Sequence, residues 1–268
     1  MDKNLIFDSH AHYNDSRFGE DAERSSLLEK MFSETVGVIV NSSVSPDDTR
    51  ASIKLAEKYP RIFANAGIHP EDCERVGDIN SALADIEALA SHPKVVAIGE
   101  IGLDYYHEPF DKHFQQDVFR KQLELARRLK MPVVIHDRDA HGDVDAILKD
   151  YRDVTAVLHS YSGSAEWARE LVRDGRYISF SGVLTFKNAR KTVEVAEVIP
   201  LDRILLETDA PYLAPTPLRG TTNNSQNIIY TASRLAEIKN TTTENILNIT
   251  FENACRFYSI DKSVLAGL

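Results

Sequence analysis

Short apolar runs rich in β-branched residues recur along the chain, and most of the segments between them carry apolar residues at helical spacing. Eight such runs stand out: Leu5 to Phe7, Val36 to Val40, Ile62 to Ala66, Val95 to Ile98, Pro132 to Ile135, Thr155 to Leu158, Tyr177 to Phe180 and Ile204 to Leu206. This alternation predicts βα units and a parallel sheet. Ser45-Pro46-Asp47-Asp48 marks a helix start, with a cap residue, a proline at the first helical position and acids in the first turn. From Phe114 to Leu129 a long helix is expected, with Phe114, Val118, Leu125 and Leu129 near one face and Lys121, Glu124 and Arg128 elsewhere. A last helix, Thr243 to Tyr258, offers Ile246, Ile249, Ala254 and Phe257 for packing and Thr242 or Thr243 as cap, and is expected to cover one side of the barrel that such units build.

Eight βα repeats in 268 residues match the roughly 250 usual for a (β/α)₈ TIM barrel, so the expectation is one domain, residues 1–268, with an additional C-terminal helix. The apolar fraction, 43%, is enough for a large core. A net charge of −10 argues against a broad basic surface that grips duplex DNA, although bound cations would add local positive charge. Cys73 and Cys255 form no metal-binding pattern and read as reduced, inert thiols. The apolar start is too short for a secretory signal, and no run approaches the ~18 apolar residues of a membrane span. A cytoplasmic protein without membrane association is the expectation.

Candidate chemistry lies at the downstream ends of the runs. His10 and His12 follow the first, His69 the third, Glu100 the fourth, His136 the fifth, His159 the sixth and Asp209 the eighth. In a closed parallel barrel every strand ends on the same rim, so these distant residues converge. A single histidine after a strand is usually a hydrogen-bonded structural residue. Four ligand-type histidines with two carboxylates on one rim instead form a donor set for divalent metal, and His10-Ala11-His12 sharpens it, because residues at i and i+2 of an extended chain point the same way. Imidazole and carboxylate without thiolate suit Zn, Mn, Fe or Ni, with Mg where oxygen dominates. Six ligands exceed one four-coordinate ion and Glu100 can bridge, so two ions are the natural arrangement, with a water between them as nucleophile.

Asp8-Ser9-His10-Ala11-His12, Gly67-Ile68-His69-Pro70, Gly99-Glu100-Ile101-Gly102-Leu103-Asp104, Pro132 to His136, Arg138-Asp139-Ala140, His159 to Gly163 and Leu206 to Tyr212 appear in this order. Together they resemble a TatD-type deoxyribonuclease, a branch of the metal-dependent amidohydrolase superfamily, over nearly the whole chain. The resemblance implies a (β/α)₈ barrel with one or two divalent ions that hydrolyses DNA phosphodiester bonds by attack of a metal-bound water, as a 3′–5′ exonuclease on single strands or strand ends. It implies that His10, His12 and Asp209 hold the first ion, His136 and His159 the second, and that Glu100 bridges. Asp209 would also be the general base. His69 would lie near the substrate phosphate rather than on a metal.

Secondary candidates carry a plain alternative each. Arg138 either reaches phosphate or pairs with a neighbouring acid. Tyr105 and Tyr106 either stack on a base or pack. Phe186-Lys187 and Arg190-Lys191 offer a small basic patch or a solvated helix start. After Pro217-Leu218-Arg219-Gly220 the chain departs from the family pattern, reading Thr221-Thr222-Asn223-Asn224-Ser225-Gln226, and this loop is expected near the site, where it would bear on substrate preference. Two other functions fit the same barrel: a hydrolase of a small ester, lactone or amide, and a non-catalytic metal- or partner-binding barrel. All six proposed ligands are present, which disfavours the last.

Overall fold

The computed structural model describes residues 5–265. Eight strands, β1 (Ile6–Ala11), β2 (Val36–Asn41), β3 (Ile62–Ala66), β4 (Val95–Asp104), β5 (Val133–Arg138), β6 (Ala156–Leu158), β7 (Tyr177–Phe180) and β8 (Ile204–Leu206), pair in parallel in chain order. Parallel neighbours need long crossovers, and helices supply them: α1 (Asp21–Glu34), α2 (Pro46–Lys58), α3 (Ile79–Ala90), α4 (Lys112–Leu129), α5 (His141–Leu148), α6 (Ala165–Arg173) and α7 (Arg190–Val198). Helix α8 (Ile228–Lys239) follows β8, and α9 (Thr243–Tyr258) is the additional C-terminal helix. A parallel bridge between Ala11 and Ala210 brings the last strand back to the first, with Asp209 N donating to His10 O at 2.9 Å and His12 N to Ala210 O at 2.7 Å. The architecture is the expected (β/α)₈ barrel.

Four strands run past the apolar runs that mark them, β2 by Asn41 alone. β1 continues through His10, β4 through Glu100 and β5 through His136. Those residues therefore lie within strands rather than after them. An apolar criterion stops where polar side chains begin, whereas the ladder continues because the polar side chains satisfy one another in the barrel mouth. His159 and Asp209 do follow their strands.

The helix starts behave as capping chemistry requires. Ser45 Oγ accepts from Asp48 N at 3.2 Å, and Thr242 Oγ1 accepts from Asn245 N at 3.1 Å; such caps stabilise by about 1 kcal/mol each. α4 begins two residues before Phe114, capped by Asp111. Its buried face also differs from the expected one: Phe114 and Leu129 are only partly buried, while Gln115 and Gln122 are enclosed. Gln122 pairs with both backbone groups of Ile68 (2.8 and 3.0 Å) and Gln115 with both of Asp104 (2.9 and 3.0 Å). Two buried amides so satisfied pin the ends of β3 and β4.

Successive strand residues face opposite ways, and the core divides accordingly. Ile39, Ile62, Ile98, Ile135, Ile178 and Ile204 pack with the surrounding helices. Phe7, Val38, Phe63, Val134 and Val157, near the strand starts, pack with Phe251, Phe257 and Tyr258 of α9. Helix α9 therefore plugs the end of the barrel opposite the site, a correction to the expectation that it lies along one side. Among the described residues no helix is long and apolar enough to cross a membrane.

Candidate metal centre

The mouth is assembled by backbone devices before any ligand is considered. Buried Asp8 on β1 accepts from Thr208 N (3.0 Å), Thr208 Oγ1 (2.6 Å) and Ser225 Oγ (2.7 Å), tying the first strand to the segment that carries Asp209. Burial pushes the Asp8 carboxyl up to about 7 even against these hydrogen bonds. Asp209 sits at φ 57°, a left-handed conformation that aspartate tolerates better than most residues. Gly102 is required where β4 meets β5: its φ is 149°, and a Cβ would collide with the His136 carbonyl.

Six side chains converge there. His10 Nε2 and His12 Nε2 are 3.1 Å apart, and Asp209 Oδ1 lies 3.7 and 3.4 Å from them. Opposite them, His136 Nδ1 and His159 Nε2 are 3.2 Å apart. Glu100 stands between the groups with its oxygens divided. Oε2 faces His10 (3.2 Å) and His12 (3.6 Å), while Oε1 faces His136 (2.9 Å) and His159 (2.8 Å). Each carboxylate oxygen thus serves a different set of nitrogens, as a bridge between two cations would need.

The outer ring nitrogens test whether the inner ones can ligate. His12 Nδ1 is 3.2 Å from Ser42 O, and a carbonyl only accepts, so the proton sits on Nδ1 and the lone pair of Nε2 points inward. Ser42 Oγ lies 3.0 Å from His10 Nδ1 and Glu207 Oε1 3.5 Å from His159 Nδ1. Inward lone pairs about 3 Å apart are repulsive unless a proton or cation lies between them. The donor set fits one or two divalent ions. His69 differs: its Nδ1 accepts from Glu71 N at 3.3 Å, which leaves Nε2 carrying the hydrogen, 3.5 Å from Glu100 Oε1. His69 also stands close enough to Glu100 and His136 to hold an ion with them, and the hydrogen on Nε2 is the feature that separates it from the other histidines.

Electrostatics within the side chains follow the same division. Burial alone would raise the Glu100 carboxyl, but His159, His10 and His69 outweigh it and hold it well below the ordinary range. Asp209 is likewise lowered, burial being overcome by His12 and His10. Against the opposing effect of burial, Asp104 and Glu100 lift His136 to about 9, and Glu100 and Glu207 lift His159. Burial and His159 together lower His10. Histidines held among carboxylates in this way exchange protons for metal, so loading is favoured as pH rises.

The site opens into a cavity of about 690 Å³ lined by His12, His69, Glu100, His136, His159 and Asp209. Arg138 also lines it; among the described residues it makes no ion pair, and its guanidinium lies 4.7 Å above the ring of Tyr106, which is 56% exposed. Tyr105 instead packs, bonding Asp143 at 2.8 Å and stacking on Phe110. Arg190 pairs with Glu194, and neither it nor Phe186, Lys187 or Lys191 lines the cavity. The divergent loop does not line the cavity either: Asn223 and Ser225 are fully buried, bonding Thr208 O (3.1 Å) and Asp8. The loop does lie near the site, as expected, and there it anchors the segment that carries Asp209. Ser42, Asp104 and Glu207 were not singled out from the sequence, although Asp104 and Glu207 lie inside quoted motifs; a buried polar residue beside a ligand is the available signal.

A parallel barrel whose strand ends gather imidazoles around a shared carboxylate is a setting for metal-dependent hydrolysis. The family model described as TatD related DNase matches residues 7–259. The uncharacterized metal-dependent hydrolase YabD of Bacillus subtilis is 42% identical over 96% of this chain and 100% of its own. YcfH of Escherichia coli, described likewise, is 39% identical over 80% of each chain. The crystal structure of YjjV, a TatD homologue of Escherichia coli, superposes with a TM-score of 0.88 at 28% identity, covering 97% of this chain and 100% of that one. The chain belongs to the TatD family of metal-dependent hydrolases.

Proposed function

We propose that this member of the family is a deoxyribonuclease that hydrolyses DNA phosphodiester bonds from a strand end, in the 3′–5′ direction, on single-stranded DNA or exposed termini. The observation that carries the proposal is the rim beside the metal centre: Arg138, whose guanidinium makes no ion pair among the described residues, and His69, whose Nε2 carries hydrogen, line one cavity with His12, Glu100, His136, His159 and Asp209. Two donors matched to phosphate oxygens, with Arg138 the one Lys or Arg among the described residues lining the cavity, suit one scissile phosphate at a terminus. The description of the family model supports the same substrate.

Bound by the six side chains, divalent ions supply Lewis-acid neutralisation of the phosphate and a water acidic enough to lose its proton near neutral pH. Glu100 holds the two histidine groups in register. Asp209, ionised and lining the cavity, takes the proton from the attacking water as general base. His69 donates to a phosphate oxygen, and Arg138 reaches a second through its planar fork. The deciding comparison is turnover of single-stranded DNA against small esters, lactones and amides under one metal. Cleavage of DNA alone is expected; efficient turnover of a small ester without DNA cleavage would move the assignment to that class.

Two further results are expected. His69→Ala will keep its metal content and melting temperature but lose about ten- to hundredfold in rate on DNA, since a charge-assisted hydrogen bond is worth roughly 1.5 to 3 kcal/mol. Loss of metal in that variant would make His69 a ligand, and unchanged cleavage would remove it from the mechanism. The salt dependence of single-strand affinity will have a log–log slope of only about −1.5 to −2, as for two or three phosphates. The net charge of −10 points the same way, and a much steeper slope would reveal a longer footprint.

A further inference from the structure

We propose that Asp104 is a positioning residue of the metal centre, fixing the His136 proton on Nε2 so that the Nδ1 lone pair is presented to the second ion. The inference rests on the metal dependence of the family and the ligand set above, and is independent of which substrate is cleaved.

Asp104 ends β4, on the same strand as Glu100, and is fully buried. Its backbone is held on both sides by Gln115, at 2.9 and 3.0 Å. Oδ1 accepts from the backbone N–H groups of Tyr106 and His107, both at 2.9 Å. The carboxylate plane is thereby fixed, and Oδ2 lies 3.0 Å from His136 Nε2 and 2.9 Å from His107 Nδ1. Across the His136 ring, Nδ1 is 2.9 Å from Glu100 Oε1 and 3.2 Å from His159 Nε2. A neutral imidazole has one donor and one acceptor nitrogen, and an ionised carboxylate only accepts. Both ring nitrogens face a carboxylate oxygen; with a cation held among Nδ1, Glu100 and His159, Nδ1 would be the nitrogen without hydrogen and Nε2 the donor to Asp104. Glu71, Asp104 and His107 also gather closely enough to suggest a separate cation site. Both Asp104 oxygens are already committed, which favours positioning over ligation there.

Asp104→Asn tests this at the level of single atoms. The two backbone N–H groups retain the amide oxygen on their side, so the amide NH₂ replaces Oδ2 and directs hydrogen at His136 Nε2. The ring is then driven to the opposite tautomer, with Nδ1 protonated and unable to ligate. In competition titrations of the metal-free full-length protein with zinc alone against a chromophoric chelator, the parent is expected to bind two ions. The variant is expected to keep one affinity and weaken the other about 10- to 100-fold, with unchanged circular dichroism and melting. Long-range ¹H–¹⁵N spectra of the zinc-loaded parent, labelled at histidine, should show His136 with hydrogen on Nε2; this measurement needs no variant and decides the matter if Asp104→Asn does not fold. Hydrogen on Nδ1 in the parent, or unchanged affinity for both ions in a folded variant, overturns the proposal. So does a third zinc equivalent that the variant loses, which would make Asp104 a ligand.

Discussion

Glu100→Ala will lose both ions together and more than about 10³-fold in hydrolytic rate, because each ion supplies several kcal/mol of transition-state stabilisation. The reason is the division of its oxygens: Oε2 lies 3.2 Å from His10 Nε2, and Oε1 2.8 Å from His159 Nε2. Among the described residues no other carboxylate faces both groups; Asp209 Oδ1 lies against His10 and His12. Substitution by alanine also leaves the histidines without their shared counter-charge, so melting should be measured beside metal content, and Glu100→Gln separates charge from volume. Elemental analysis showing two ions retained in Glu100→Ala would rule out the bridge. Retention of one ion would restrict Glu100 to a single site.

Asp209→Asn is the second large effect. The amide keeps the size of the side chain and one oxygen for the first ion but cannot take a proton near neutral pH, so the rate should fall at least about 10²-fold in a folded protein. Since His12 and His10 hold the carboxyl below its ordinary value despite burial, the parent base is ionised across the neutral range. Its protonation therefore limits the rate only on the acid side. A variant with bound metal and near-parental turnover would take the base role away from Asp209.

The barrel was legible from the chain because strand and helix periodicities differ and apolar runs mark strand starts. Strand ends were less legible, since β1, β4 and β5 continue through His10, Glu100 and His136, where the apolar pattern has stopped. The six candidate ligands could be located because an ordered set of motifs places them at strand ends. The residues that orient them could not: Ser42, Glu207 and Asp104 owe their significance to neighbours far away in sequence. The buried glutamines of α4 illustrate the same limit, as helical spacing shows which positions face inward but not that an inward amide will find Ile68 or Asp104. Tertiary partners also define the loop after Gly220, which is expected near the site but whose Asn223 and Ser225 find buried partners in Thr208 and Asp8.

The most direct measurement is incubation of the metal-free protein with single-stranded DNA labelled at the 5′ end, with and without each of Zn, Mn, Mg, Fe and Ni, followed by resolution of the products. The expected result is no cleavage without metal and, with a competent metal, a ladder of labelled products that shortens progressively from the 3′ end. Metal-independent cleavage, or intact DNA under every metal while the protein holds its ions, would contradict a metal-dependent deoxyribonuclease.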